Sequence, residues 1–229
     1  MNGQEPSFII SCNLAGGESY LLANNTDSYF TRLENAFNDI KSGKGGICDY
    51  LLFAFVTLSS ATLEYSLNFM LSVYCFNKYH FPDYEPYLES YRNIRFKNKL
   101  TIVPSIISDG VLSLRKEKTS IQCLYELISY RNNLLHNSSS VKVQKFDFPQ
   151  TGAVVKDDSL FIPRSALKED LSIEFPIQIE DNYIDMLTAE KCVEFGSALF
   201  QFREYIISPY LSKGELEENE LIERQRIIG

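Results

Sequence analysis

A chain of 229 residues is long enough for one well-filled core, or for one core with an elaboration. Hydrophobic residues at 45% and charged residues at 23% are ordinary for a folded domain, and 14 Tyr and 16 Phe supply large rings in place of Trp. A net charge of −8 speaks against a nucleic-acid coat protein, and the opening MNGQEPSFII lacks the basic and apolar regions of a secretory leader. The five cysteines (12, 48, 75, 123 and 192) are odd in number and show no CxxC spacing. They read as small hydrophobes in a reducing cytoplasm, not as a disulfide framework or a zinc site.

Residues 1 to about 25 hold a candidate short strand, FIISC, and then LAGGESYLLANN, which reads as loop. A first helix is expected after Thr26 as N-cap, because Phe30, Leu33, Phe37 and Ile40 recur on one face. The glycine-rich SGKGG stops it. As a phosphate loop that stretch fails. Asn38 stands where the first glycine belongs, Gly45 where a magnesium-holding Ser or Thr belongs, and a helix precedes it.

A second helix is expected over about 47–79, apolar on two sides. Between them runs a narrow stripe, Thr57, Ser60, Glu64, Asn68, Ser72 and Cys75, whose steps average about 3.6 residues. Two readings stay open: a solvent-facing edge, or a seam where another helix packs and Glu64 meets a cation. The stretch is greasy enough to suggest a membrane span, but Asp49, Glu64 and Asn68 interrupt it, so a buried helix and no membrane are expected.

HFPDYEPY is a proline-punctuated turn, and its His80 has no Cys, Asp or Glu at metal-ligand spacing. A third helix is expected over about 87–100, ending before Pro104. Within 91–118, Arg92, Arg95, Lys97, Lys99, Arg115, Lys116 and Lys118 outweigh Asp109 and Glu117 by +5. This local basic zone is either a polyanion contact or a solvated helix face.

A fourth helix, 119–136, carries Ile121, Leu124, Leu127, Ile128 and Leu135 on its apolar side, and Asn137 with three serines stops it. The chain then changes character. LSIEFPIQI alternates strictly, and Pro176 on the opposite phase marks an edge where a partner could add a strand. VKVQKFDF and SLFI are candidate partner strands, with KDDS as a turn. A last helix, 188–207, is expected to end at Pro209 before an acidic tail. The expectation is one mainly α domain: a helical-bundle core over 26–137 and 188–210, a β insertion over 140–182, and a tail over 211–229.

The most specific stretch is LISYRNNLLHN, residues 127–137. Arg131 and His136 fit Arg-x4-6-His, a spacing that uniform placement yields about 0.24 times in such a chain. Context adds weight: the amphipathic run IQCLYELISY, Asn132 after the Arg, Asn137 after the His, and an earlier long helix, LLFAFVTLSSATLEYSLNFML, with an acid in mid-core. Together these residues resemble the HEPN superfamily, helical domains many of whose members are ribonucleases of toxin–antitoxin and anti-phage systems. The resemblance covers about 26–137, with the final helix belonging too, and leaves the β segment and tail unexplained. Some subsets carry a tyrosine two residues after the His, where this chain has Ser138.

The resemblance implies a HEPN-like bundle that forms a homodimer, with Arg131 and His136 of both protomers lining one composite cleft. Helix geometry agrees: the two residues point about 140° apart on a straight helix, so one helix does not readily unite them, whereas Asn132 and His136 share a face. The implied activity is metal-independent endoribonuclease, needing no cofactor, with RNA as substrate and with room for an antitoxin or other protein partner in the cytoplasm. His136 would act as general acid or base on the ribose 2′-OH, Arg131 would stabilise the phosphorane oxygens, and Asn132 would orient either. Glu64 would hold Arg131, Asn137 would support the helix end, and Arg92, Arg95, Lys97 and Lys99 would contact RNA. A catalytically silent module that binds a partner protein, nucleotide or RNA is the alternative. A His or Arg near a helix C-terminus is stabilised by the dipole alone, by about 0.3–1 kcal/mol when exposed.

Overall fold

The helical periodicities become, in a computed structural model, α1 (Thr26–Lys41), α2 (Asp49–Tyr79), α3 (Tyr84–Arg92), α4 (Phe96–Ile107), α5 (Thr119–Leu135) and α6 (Ala189–Phe202). A π-helical turn, Arg203–Ile207, leads into α7 (Ser208–Lys213). Two antiparallel hairpins complete the elements: β1 (Ser7–Asn13) with β2 (Glu18–Asn24), and β3 (Val154–Lys156) with β4 (Ser159–Phe161). The structure describes residues 7–13, 18–44, 49–79, 83–115, 117–135, 154–156, 159–161 and 187–213. The protein is mainly α. Its chain divides into two compact units, one of Met1–Leu135 with Tyr183–Gly229, and one of His136–Asn182 inserted between them.

Within the first unit α2 is the central helix, touching α1, α3, α4, α5 and α6. By length and composition alone it could cross a membrane. Here its apolar sides are covered by neighbouring helices: Phe55, Val56, Leu63, Leu67, Met70 and Leu71 are wholly buried. Each such side chain contributes about 1.5–3 kcal/mol of burial. Ring contacts fix the directions. Tyr29 stacks on Tyr65 at 4.7 Å and Phe37 on Phe55 at 6.1 Å, so α1 runs antiparallel to α2. The Cys192 thiol reaches the Leu52 carbonyl and Gly196 abuts Phe55, so α6 runs along α2 in the same sense. Arg203 closes α6 onto the start of α1, bonding Asp27 at 2.9 Å and lying over the Phe30 ring.

Several sequence expectations change here. Thr26 is the first residue of α1, not its cap: Asn24 Oδ1 accepts from the Thr26 amide, and the Thr26 hydroxyl is buried without a partner among the described residues. The stretch read as loop contains β2, whose register pairs Ser7 with Asn24 and Asn13 with Glu18. Gly16-Gly17 between two apolar runs was the hairpin signal.

The expected helix over 87–100 is two helices. Arg95 takes an extended conformation (φ −56°, ψ 136°) and breaks the chain between α3 and α4. Pro104 lies inside α4, where its missing N–H forgoes the bond to the Leu100 carbonyl, and Ser108 Oγ donates to the Pro104 carbonyl at 2.7 Å. Nor does Pro209 terminate the last helix. It sits in the first turn of α7, where a missing N–H costs least, after the π-turn widens the ladder so that the Ser208 amide reaches the Arg203 carbonyl. Thr188 is the cap of α6, its hydroxyl accepting from the Lys191 amide. Leu135, assigned to the core, is 53% exposed.

In the inserted unit, the expected SLFI strand is present as Ser159–Phe161, but its partner is Val154–Lys156 and not VKVQKFDF. The expected strands at 141–148 and 171–179, with the Pro176 edge, lie outside the described residues, as does the acidic tail from 214 onward.

Candidate functional site

The polar stripe of α2 is a packing seam, not a solvent-facing edge. Thr57 is exposed, Glu64 and Asn68 are half-buried, and Ser60, Ser72 and Cys75 are buried. α5 crosses it at Glu64. There Arg131 Nη2 stands 3.9 Å from Glu64 Oε2, while Arg131 Nη1 donates to Asn132 Oδ1 at 3.0 Å. The two charged side chains keep 28% and 35% of their surfaces in solvent. The guanidinium is thus held by its neighbour's amide and faced by a carboxylate, yet remains open to a ligand. Among the site residues named from the sequence, Arg131, Asn132 and Glu64 come together. His136 and Asn137 follow directly on α5 and lie outside the described residues, as does His80.

The basic zone is not one surface. Arg92, Arg95 and Lys97 are exposed, and Lys97 also lies 5.8 Å from the centre of the Tyr125 ring on α5. Lys99 is different. It is only 4% exposed, and its Nζ donates to Asn68 Oδ1 at 2.7 Å. Burial pushes its ammonium below the ordinary lysine range; the Glu64 carboxylate works against that shift and Arg92 works with it. Lys99 is therefore no part of an exposed, solvated basic face. The reason is its place on α4, where Lys99 shares the inward face with Phe96, Leu100, Val103 and Ile107. Asn68, its acceptor, is the site residue that sequence reasoning left without a role.

A concavity of about 720 Å³ lies elsewhere, between α5 and α6, and is lined by Lys118, Ser120, Cys123, Glu126, Lys191 and Glu194 among others. Its inner cation is paired twice. Lys191 bonds Glu126 at 2.6 Å and Glu194 at 3.0 Å, and these carboxylates hold its ammonium well above the usual range. Burial pushes the Cys123 thiol up to about 11, so it is no nucleophile near neutral pH. Cys75 and Cys192 are raised in the same way, to about 11 and about 12. Among the described residues no three His, Cys, Asp or Glu side chains converge to hold a metal ion. The chain matches no known protein-family model, no curated protein and no solved structure.

Proposed function

We propose that this chain is a metal-independent endoribonuclease of HEPN type whose site is the Arg131 end of α5. The observation that carries the reading is the half-open guanidinium of Arg131, supported by Asn132 and faced by Glu64. A planar guanidinium held this way offers paired donors to two phosphate oxygens, where charge builds in a phosphorane. His136, from the sequence, supplies the proton transfer. It takes the proton of a ribose 2′-OH as that oxygen attacks the adjacent phosphorus. The bond from phosphorus to the 5′-oxygen breaks, and that oxygen receives a proton from a second imidazole. The products are a 2′,3′-cyclic phosphate and a 5′-hydroxyl, and DNA is spared because it lacks the nucleophile.

The second imidazole is that of His136 in a second protomer, as the resemblance to dimeric HEPN domains implies. Leu135 at the end of α5 and Tyr50 on α2, 53% and 72% exposed, are large apolar groups suited to a homodimer contact. Light scattering at micromolar concentration checks this part: a dimer is expected, and a monomer contradicts the composite cleft. Cytoplasmic action as a toxin or defence effector, with an antitoxin or other protein as partner, belongs to the same proposal.

The test is cleavage of single-stranded RNA by the whole protein in excess EDTA. The silent-module reading is favoured by the net charge of −8 and by Ser138 in place of tyrosine, and it predicts RNA that stays intact.

A further inference from the structure

Lys99 presents a problem in electrostatics. An ammonium that is almost fully out of solvent needs a counter-charge, because an unpaired buried charge is costly. Its contact is the Asn68 amide oxygen, which carries no charge. No carboxylate among the described residues makes a salt bridge with it. The one carboxylate whose field reaches it, Glu64, also faces Arg131, and the other charge it feels is the cation Arg92. Arg131 and Lys99 thus share one carboxylate, and the exposed Arg92 adds a further positive charge to their surroundings.

The start of α4 adds to the imbalance. Its first turn holds no acidic residue, its N-cap is Arg95 with no side-chain capping bond, and Lys97 follows. Helix N-termini carry partial positive charge and attract anions, so a run of cations there with no acid is opposite to the usual preference.

We propose that Lys99, Asn68 and Arg92 form a phosphate-ester subsite at the seam of α2 and α4, beside the Arg131 site. Its occupant is the backbone phosphate adjacent to the scissile one. Lys99 is the inner, fixed cation, Asn68 holds its ammonium in place, and exposed Arg92 is the outer contact. That occupant rests on the ribonuclease reading; the anion chemistry does not.

The experiment is a set of thermal melts of the full chain, in anion-poor buffer, with added pyrophosphate and with an all-2′-deoxy oligonucleotide that the proposed reaction cannot cut. Both ligands are expected to raise the melting temperature of the unsubstituted protein as their concentration increases. Lys99→Met should reduce the pyrophosphate shift to what the Arg131 site alone supplies, and without ligand should melt higher than the parent, since an apolar chain of similar size replaces an uncompensated charge. Arg92→Gln, at an exposed position, should weaken pyrophosphate binding by about tenfold. Arg131→Ala should keep the Lys99-dependent part of the pyrophosphate shift.

If Lys99→Met melts lower and still responds to pyrophosphate like the parent, Lys99 is a structural tie between α4 and α2 and the subsite is wrong. Should that variant fail to fold, Lys99→Gln carries the same comparison of ligand shifts. No shift in the parent protein also overturns the proposal. A pyrophosphate shift without an oligonucleotide shift overturns the backbone assignment in favour of a free phosphate ester. A protein that responds through Lys99 but cuts no RNA sinks the ribonuclease reading alone; one that cuts RNA with no Lys99-dependent shift sinks the subsite alone.

Discussion

Alanine at Arg131 or at His136 is expected to lower RNA cleavage in EDTA by about 10²–10⁴-fold while the protein remains folded. Folding should survive because Arg131 keeps 28% of its side chain in solvent and is no part of the apolar core. Arg131→Lys should not rescue the activity, since an ammonium cannot reproduce the paired, planar donors of a guanidinium. Glu64→Gln should fall between, at about a tenfold loss, because Glu64 acts through Arg131 and leaves the Asn132 contact intact. A change in kcat with little change in KM would mark Glu64 as a positioning residue; a loss confined to melting temperature would mark the pair as structural only. Undiminished cleavage by Arg131→Ala would remove α5 from the chemistry.

A second large effect is expected far from that end of α5. Gly196 on α6 is buried where α1 and α2 converge, and a Cβ there would overlap the Phe37 ring and stand 3.0 Å from Phe55 Cζ. The Phe37 ring has little room to yield, being flanked by Phe55 at 6.1 Å and Phe200 at 5.2 Å. Overpacking of this kind costs about 1–3 kcal/mol, and alanine recovers only about 1 kcal/mol from its better helix propensity. Gly196→Ala is therefore expected to destabilise modestly and Gly196→Val by about 3 kcal/mol, and for a chain of this size each kcal/mol lowers the melting temperature by about 2–4 °C. Phe37→Leu should return part of the loss in the double variant, as coupling through a shared contact requires. A Gly196→Val protein as stable as the parent would mean that the three helices stand farther apart than these contacts require.

The long apolar helix and its polar stripe were legible in the sequence because neither strands nor loops sustain a 3.6-residue period over many turns. Glu64 as the partner of Arg131 was legible for a related reason: an acid in the middle of such a helix needs a cation. The break at Arg95 was not, because Asn93, Ile94 and Arg95 include neither glycine nor proline, while Pro104 pointed to the wrong boundary. That error concealed Lys99. Only when α4 is recognised as beginning at Phe96 does the lysine fall on the apolar face, beside Leu100 and Val103. Leu135 misled in the opposite sense, since its periodicity continues the buried side of α5 one step past where the core ends. The placing of His136 on the face of Asn132 comes from sequence geometry, four residues being about one helical turn.

The most direct measurement is the chemistry of the cut ends. A synthetic RNA carrying a single ribose among 2′-deoxynucleotides, incubated with the protein in EDTA, is expected to be cut only after that ribose, leaving a 2′,3′-cyclic phosphate and a 5′-hydroxyl. Cleavage at deoxy positions, or products ending in a 3′-hydroxyl and a 5′-phosphate, would contradict the account, because neither outcome uses the sugar hydroxyl as the attacking group.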